Sequence, residues 1–297
     1  MSALLRVDRD MDIYGSLYRI QMKGFKGGHS GTSIHEGRAN ASLVMGRFLK
    51  KLKEAGSVNI LDLEGGEKDN AIPNFANAII ATSADEDRVK KIIMDFDACI
   101  NEEYKGIEDQ INIIVTPLSY EKDSDKKLIG DKSNTIIDIL NSVPDGVINM
   151  CDGIDMVKTS LNLGITKIDA DGLKLDFCIR SSSGVEKEEL KERVGTILAN
   201  KGCELALSGD YPGWDYNSDS ILQKIAVKAY KEVYGEEPIV TGVHAGLECG
   251  MFLEKRPELE CVSFGPTISD IHSVKERMSL SSAKRMIEYL LRILENM

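Results

Sequence analysis

The sequence predicts an α/β protein of two domains, and three observations carry that prediction. Its 297 residues exceed the usual size of one domain. Stretches that alternate like strands interleave with stretches whose apolar residues recur at helical spacing. The order of these stretches repeats once and then changes after "GDYPGW" at 209–214.

The first strand is "SLYRIQMKG", which alternates and stops at glycine. In "GRANASLVMGRFLKKLKEAG" the residues Ala41, Val44, Met45, Phe48 and Leu52 share one helical face, and Gly56 ends the run. Two strands, "SVNILDLEGG" and "NFANAIIATS", precede the charged helix "DEDRVKKIIMDFDACINEEY" and the strand "INIIVTPLSY". The sum is β-α-β-β-α-β.

After the polar link "EKDSDKK" the helix "NTIIDILNSV", the strands "DMVKTSLNLG" and "LKLDFCIRSS", the helix "EKEELKERVGTILANKG" and the strand "CELALSG" run in the same order. We read segments near 16–120 and 131–209 as a diverged internal repeat of about 100 residues, with "NILDLEGG" lying over "KTSLNLG".

Past Pro212 the reading is helix "SDSILQKIAVKAYKEVYG", strand "EPIVTG", helix "GLECGMFLEK", strand "LECVSFGP", a loop, and the long helix "SLSSAKRMIEYLLRILENM". Helices alternating with short buried strands suggest a mostly parallel sheet, yet two strands make no sheet. Either this tail docks on the repeat domain or it is half of a larger α/β domain.

Composition narrows the function. A net charge of -11 and a pI near 5.0 disfavour nucleic acid and anionic membrane surfaces, both of which need a basic face. Small solutes remain. The six cysteines, Cys99, Cys151, Cys178, Cys203, Cys249 and Cys261, form no C-x-x-C pair and read as buried free thiols in a reducing compartment. The start "MSALLRVDRDMDIYG" lacks the apolar core of a signal peptide, and no run approaches the ~18 apolar residues of a membrane span, so a cytoplasmic protein is expected.

The four histidines sit in unusual contexts. His29 lies in "GFKGGHSG", where glycines permit positive φ and close approach of backbone to a ligand; a tight turn with an incidental histidine is the other reading. His35 reads as a solvated residue near a helix start. His244 opens "HAGLECG", a loop turning into a helix with Glu248 in its first turn, where free N–H groups attract an anion or where Glu248 merely complements the helix dipole. His272 follows Ser269 and Asp270 beyond a strand end, the place for a metal ligand, a base, or a surface histidine capping the last helix. Arg180 ends the strand "LKLDFCIRSS" and suits a carboxylate or a surface ion pair. No G-x-x-x-x-G-K-[ST] loop and no G-x-S-x-G elbow is present, which removes nucleotide and serine-hydrolase readings.

Taken in order, "GFKGGHSGTSIHEGRANA", "DNAIPNFA", "GDYPGW", "VHAGLECGMF" and "VSFGPTISDIHSVKERMS" resemble the aminoacyl-histidine dipeptidases, also called Xaa-His dipeptidases or peptidase D, of the co-catalytic zinc exopeptidases. The resemblance runs the whole length. It implies a lid domain of two diverged β-α-β-β-α-β units, itself α+β, plus the C-terminal part of a zinc-exopeptidase-like α/β catalytic domain. On that basis 1–15 is a remnant of an N-terminal catalytic segment, 16–209 the lid, and 210–297 the C-terminal part of the catalytic domain.

In such enzymes two metals share a bridging water that attacks the scissile carbonyl. The resemblance makes His29 the lid histidine that polarises the developing oxyanion. It makes His272 a metal ligand and Arg180 the partner of the substrate carboxylate, with Asn162 beside it. His244, Gly246 and Glu248 would line the substrate end of the pocket. The cofactor implied is zinc, two per site, and the substrate a small Xaa-His dipeptide such as carnosine.

The family's H-x-D motif, bridging aspartate and catalytic Glu-Glu pair precede its lid, whereas no H-x-D occurs here and Glu102 and Glu103 sit on a charged helix, read as surface. A truncated chain, inactive alone, is therefore the expectation, since one ligand cannot hold a catalytic zinc. Two alternatives stay open: a non-catalytic binding or assembly module, and one half of a split dipeptidase. The apolar faces of the helices at 219–235 and 279–296 call for a partner, either a second copy in a homo-oligomer such as a dimer or an N-terminal catalytic half.

Overall fold

A computed structural model describes residues 1–12, 14–119, 128–129, 132–152, 155–242, 248–269 and 276–297. Its described residues group into two compact units, one within Met1–Asp210 and one within Tyr211–Gly242 and Gly246–Met297.

In the first unit the strands are β1 (Ser2–Leu5), β2 (Arg9–Met11), β3 (Ser16–Lys23), β4 (Gly28–His29), β5 (Val58–Gly65), β6 (Ala71–Ile72), β7 (Ala76–Thr82), β8 (Asn112–Leu118), β9 (Leu128–Ile129), β10 (Gly146–Met150), β11 (Val157–Ile168), β12 (Leu173–Ser181) and β13 (Glu204–Ala206). The helices are α1 (Ala41–Lys53), α2 (Glu86–Glu103), α3 (Lys132–Ser142) and α4 (Gly184–Asn200). The main sheet runs β13-β1-β12-β11-β5-β7-β3-β8, and each neighbouring pair is antiparallel.

That order resolves the repeat. The first half of the sheet, β5-β7-β3-β8, places the strands of its unit in the order second, third, first, fourth. The other half, β11-β12-β1-β13, has the same order once β1 counts as the first strand of the second unit. The first unit is thus inserted between β1 and the rest of the second, and the halves meet where Thr166 pairs with Gly65 and Lys167 with Glu64. Residues 1–15, expected as a catalytic remnant, instead supply β1 to this sheet: Ala3 and Leu5 alternate into the core while the backbone pairs with β12 and β13.

Alternation in the strands and helical periodicity bury a common core. Ile20, Met22, Leu63, Ile80, Leu161, Leu163 and Phe177 from the sheet meet Phe48 and Leu49 of α1 and Ile136 and Leu140 of α3. Phe48 packs edge-on against Phe96 with ring centroids 5.3 Å apart. Each fully buried side chain of this size contributes roughly 1.5–3 kcal/mol. Caps set the helix starts: the Asn40 side chain accepts from Ser42 N and Leu43 N, and that of Asp85 from Arg88 N. Glu103 pairs with Arg47 at 2.6 Å and Glu102 with Lys105 at 3.4 Å, so the Glu-Glu pair lies among surface charges.

The second unit holds α5 (Ile221–Tyr234), α6 (Glu248–Lys255), the paired strands β14 (Ile268–Ser269) and β15 (Arg277–Met278), and α7 (Leu280–Asn296). Helices α5 and α7 pack through Ala226, Ala229, Tyr289 and Ile293, with Tyr289 Oη donating to Ala226 O at 3.1 Å. The Glu260 carboxylate accepts from Leu222 N, Ser220 Oγ and Ile221 N at 2.6, 3.0 and 3.2 Å, satisfying the open start of α5.

The strands expected at "EPIVTG" and "LECVSFGP" do not form. Among the described residues of this unit no strand lies beside either run, so neither backbone finds a ladder, and Ile239 stays 91% exposed. The cysteines are free as expected, but only Cys203 is buried; Cys99 lies exposed on α2 and the other four are half-buried. No helix among the described residues is long and apolar enough to cross a membrane.

Candidate active site

His29 stands on a small hairpin. Strand β4 pairs antiparallel with β6, Gly28 opposite Ile72 and His29 opposite Ala71. Ser30 N donates to Asn70 O at 2.9 Å, and Thr32 N and Ser33 N both donate to His29 O, closing a tight turn behind the ring. Glycine is required at position 28: its φ is 131°, and a Cβ there would lie 2.5 Å from Arg38 Nη1 and 3.1 Å from Ser33 Oγ. The base of the loop is clamped by Glu108, whose two carboxylate oxygens accept from Lys26 N at 2.7 Å and Ala39 N at 2.9 Å.

The turn also sets the chemistry of the ring. Gly31 N donates to His29 Nδ1 at 3.1 Å, so Nδ1 is the acceptor and a neutral imidazole carries its proton on Nε2. Desolvation, and after it the charge of Arg180, lowers the His29 pKa below its ordinary value. The result is a neutral ring, exposed at its surface, that presents an Nε2–H donor.

Arg180 and Asn162 reach the same region from the sheet. Leu173, Leu175 and Phe177 of β12 face the core, so alternation sends Cys178 and Arg180 to the opposite face. There Arg180 lies opposite Ser160 and Cys178 opposite Asn162 of β11. Arg180 Nε donates to Ser30 Oγ at 3.4 Å, and no carboxylate pairs with the guanidinium among the described residues. Asn162 is buried, and its Nδ2 donates to Asp69 O at 3.0 Å and Ala71 O at 2.9 Å.

The first unit therefore brings together His29, Arg180 and Asn162. Glu248 opens α6 in the second unit, exposed, in the first-turn position expected of it. His244, Gly246 and His272 lie outside the described residues. Among the described residues no three His, Cys, Asp or Glu side chains gather to hold a metal, so they do not fit a zinc centre by themselves. His35 is exposed in a short 3-10 turn at Ile34–Glu36.

Sequence reasoning missed Glu108 and Ser30. Glu108 follows a charged helix and has no periodic signal, and only the fold shows that its carboxylate closes a loop more than sixty residues earlier in the chain. Ser30 was legible as part of "GGHSG", but its contact with Arg180 spans 150 residues.

Comparison with known proteins finds relatives of the chain that carries this geometry. The model of the peptidase dimerisation domain matches residues 20–108, the segment from β3 through Glu108 that contains the His29 hairpin. The cytosol non-specific dipeptidase of Escherichia coli (strain K12) is 32% identical over 281 residues, 94% of this chain and 57% of the relative. The crystal structure of aminoacylhistidine dipeptidase from Vibrio alginolyticus superposes with a TM-score of 0.91 at 30% identity, covering 99% of this chain and 60% of that one. Over nearly its whole length the chain is similar to dipeptidases, and within it residues 20–108 match the dimerisation domain of M20 peptidases. It spans somewhat more than half the length of the relatives it matches.

Proposed function

We propose that the chain handles substrate in a metal-dependent dipeptidase that hydrolyses Xaa-His dipeptides such as carnosine. The observation that carries this reading is a neutral His29 with its proton held on Nε2 by Gly31, beside a guanidinium without a carboxylate partner among the described residues. Arg180 binds the substrate's terminal carboxylate, for which its planar fork is suited. His29 Nε2–H donates to the oxygen of the scissile carbonyl as charge develops there. Loss of one such donor costs about 10²–10³ in kcat. The names of the relatives, a non-specific dipeptidase and an aminoacylhistidine dipeptidase, support a dipeptide substrate.

Zinc would supply the activated water. The sequence motifs assign His272 as a metal ligand and give His244, Gly246 and Glu248 a substrate-binding role. One protein ligand falls short of the three that a catalytic zinc ordinarily needs. The chain by itself is therefore catalytically silent and associates with a second copy or with a polypeptide that brings the remaining ligands. Zinc loading, desalting and plasma mass spectrometry, with carnosine hydrolysis assayed on the same sample, test this. Near-zero metal and no turnover are expected, with turnover appearing once a polypeptide carrying H-x-D and Glu-Glu is added. Two tightly held metals with turnover by the chain alone would contradict it.

The second reading, a binding or assembly module, is favoured by the apolar face that α7 exposes through Leu280, Ile287, Leu291 and Leu294, each more than half accessible. It predicts association with a full-length relative and no turnover under any of these conditions.

A further inference from the structure

We propose that Asn162 and Gly164 of β11 form a cradle that positions His29, with Asn162 acting through the loop at 66–71 rather than by touching substrate. The catalytic meaning of the cradle rests on the reading of His29 as oxyanion donor; the cradle itself stands on the contacts alone.

Both N–H groups of the Asn162 amide are committed, one to Asp69 O at 3.0 Å and one to Ala71 O at 2.9 Å. Because both neighbours are carbonyl oxygens, the reversed amide would set oxygen against oxygen, so the orientation is determined. Asn162 Oδ1 is buried and has no partner among the described residues. What the arrangement achieves is a fixed position for residues 69 and 71.

Those two residues flank the hairpin. Ala71 pairs with His29, and Asn70, between the two anchored carbonyls, accepts from Ser30 N at 2.9 Å. The path is thus Asn162 to β6, β6 to β4, and β4 to the turn whose Gly31 N–H selects the His29 tautomer.

Gly164 is an independent part of the same device. A Cβ at this position would lie 2.3 Å from Asp69 O and 2.5 Å from both Asp69 Cα and Lys68 O, all of them in the loop. The loop answers with Gly66, whose own Cβ would lie 2.0 Å from Gly164 O. Around Gly164 the ladder to β12 shifts register, Leu163 pairing with Phe177 and Ile165 with Asp176, and the extra residue lets the backbone meet the loop.

The test is nitrogen-15 NMR of the histidine rings in the purified chain, with amide exchange read at Ser30, for wild type, Asn162→Ala, Asn162→Asp and Gly164→Ala. Asn162→Asp keeps the size of the side chain and removes its donors. In all three variants His29 Nδ1 is expected to leave the acceptor position and show a mixture of tautomers. Its pKa is expected to move back toward the ordinary histidine value, and Ser30 exchange to accelerate about tenfold or more. Gly164→Ala perturbs the loop without touching the amide, and Asn162→Ala, which introduces no clash, keeps the test open should Gly164→Ala fail to fold. Unchanged His29 signals and Ser30 exchange in a folded variant, whether or not its unfolding midpoint falls, would overturn the proposal. None of these readouts depends on turnover, so a failure of the dipeptidase reading would leave this result standing.

Discussion

His29 keeps its neutral form for two reasons that act in one direction, desolvation first and the nearby Arg180 charge second. Removing the charge in Arg180→Gln should therefore raise its pKa part of the way, with desolvation still holding it below the ordinary value; an NMR titration reads both. No change would mean that Arg180 does not act on the ring. A carboxyl elsewhere in the unit behaves oppositely. Desolvation pushes Asp145 up to about 7, although Leu163 N–H, the Asn40 amide and Gly146 N–H pull the other way. The folded chain then holds a proton that an unfolded aspartate, with a pKa of ~3.9, releases. The associated stability is fully present below pH ~4 and is lost as pH rises through about 7. Asp145→Asn should accordingly gain on wild type in urea midpoint between about pH 4 and 7 and hold a constant difference above. A difference that ignores pH would contradict the shift.

At the scale of elements the joints matter more than the interiors. Asn40 caps α1 through Ser42 N and Leu43 N, and its Nδ2 donates to Leu163 O at 3.0 Å and Asp145 Oδ1 at 3.2 Å, tying a helix of one repeat to a strand of the other. Asn40→Ala removes the cap and leaves buried groups unpaired, an expected loss of about 2–3 kcal/mol by urea denaturation; a loss under about 0.5 kcal/mol would mean that water replaces these bonds. Glu108→Ala should free both ends of the His29 loop, disturb the His29 NMR signals and lower stability by about 1–3 kcal/mol, because Lys26 N and Ala39 N lose their acceptor; unchanged His29 signals would contradict it.

The long elements were legible because period and caps agree over many residues, as in α1, where Asn40 stands just before the apolar face begins. The pieces that build the site were not. β4 and β6 are two residues each, too short to show any period, and their loop is tied to β11 through Asn162. β1 has four residues, and its partners lie near residues 173–176 and 204–206, so its place in the second repeat cannot be read locally. "EPIVTG" and "LECVSFGP" show the converse: apolar, β-branched runs that stay irregular where no neighbouring strand accepts them.

For the whole molecule, the first unit is a closed account, with two β-α-β-β-α-β halves joined at β5 and β11 around one core. The second unit is not, because α7 buries Tyr289 and Ile293 against α5 and presents Leu280, Ile287, Leu291 and Leu294 outward. The chain should self-associate, and replacing Leu291 and Leu294 together by lysine should shift light scattering toward the 32.8 kDa monomer. A wild-type monomer would contradict that. The central claim is that the first unit carries a ready-made half-site for a dipeptide, with Arg180 on its carboxylate and His29 on its carbonyl. Titrating carnosine into the nitrogen-15-labelled chain tests it most directly. The account predicts saturable shifts at His29, Ser30 and the Arg180 Nε–H that disappear in Arg180→Gln and with the C-terminal amide of the same dipeptide; equal shifts with the amide, or shifts confined to other residues, would contradict it.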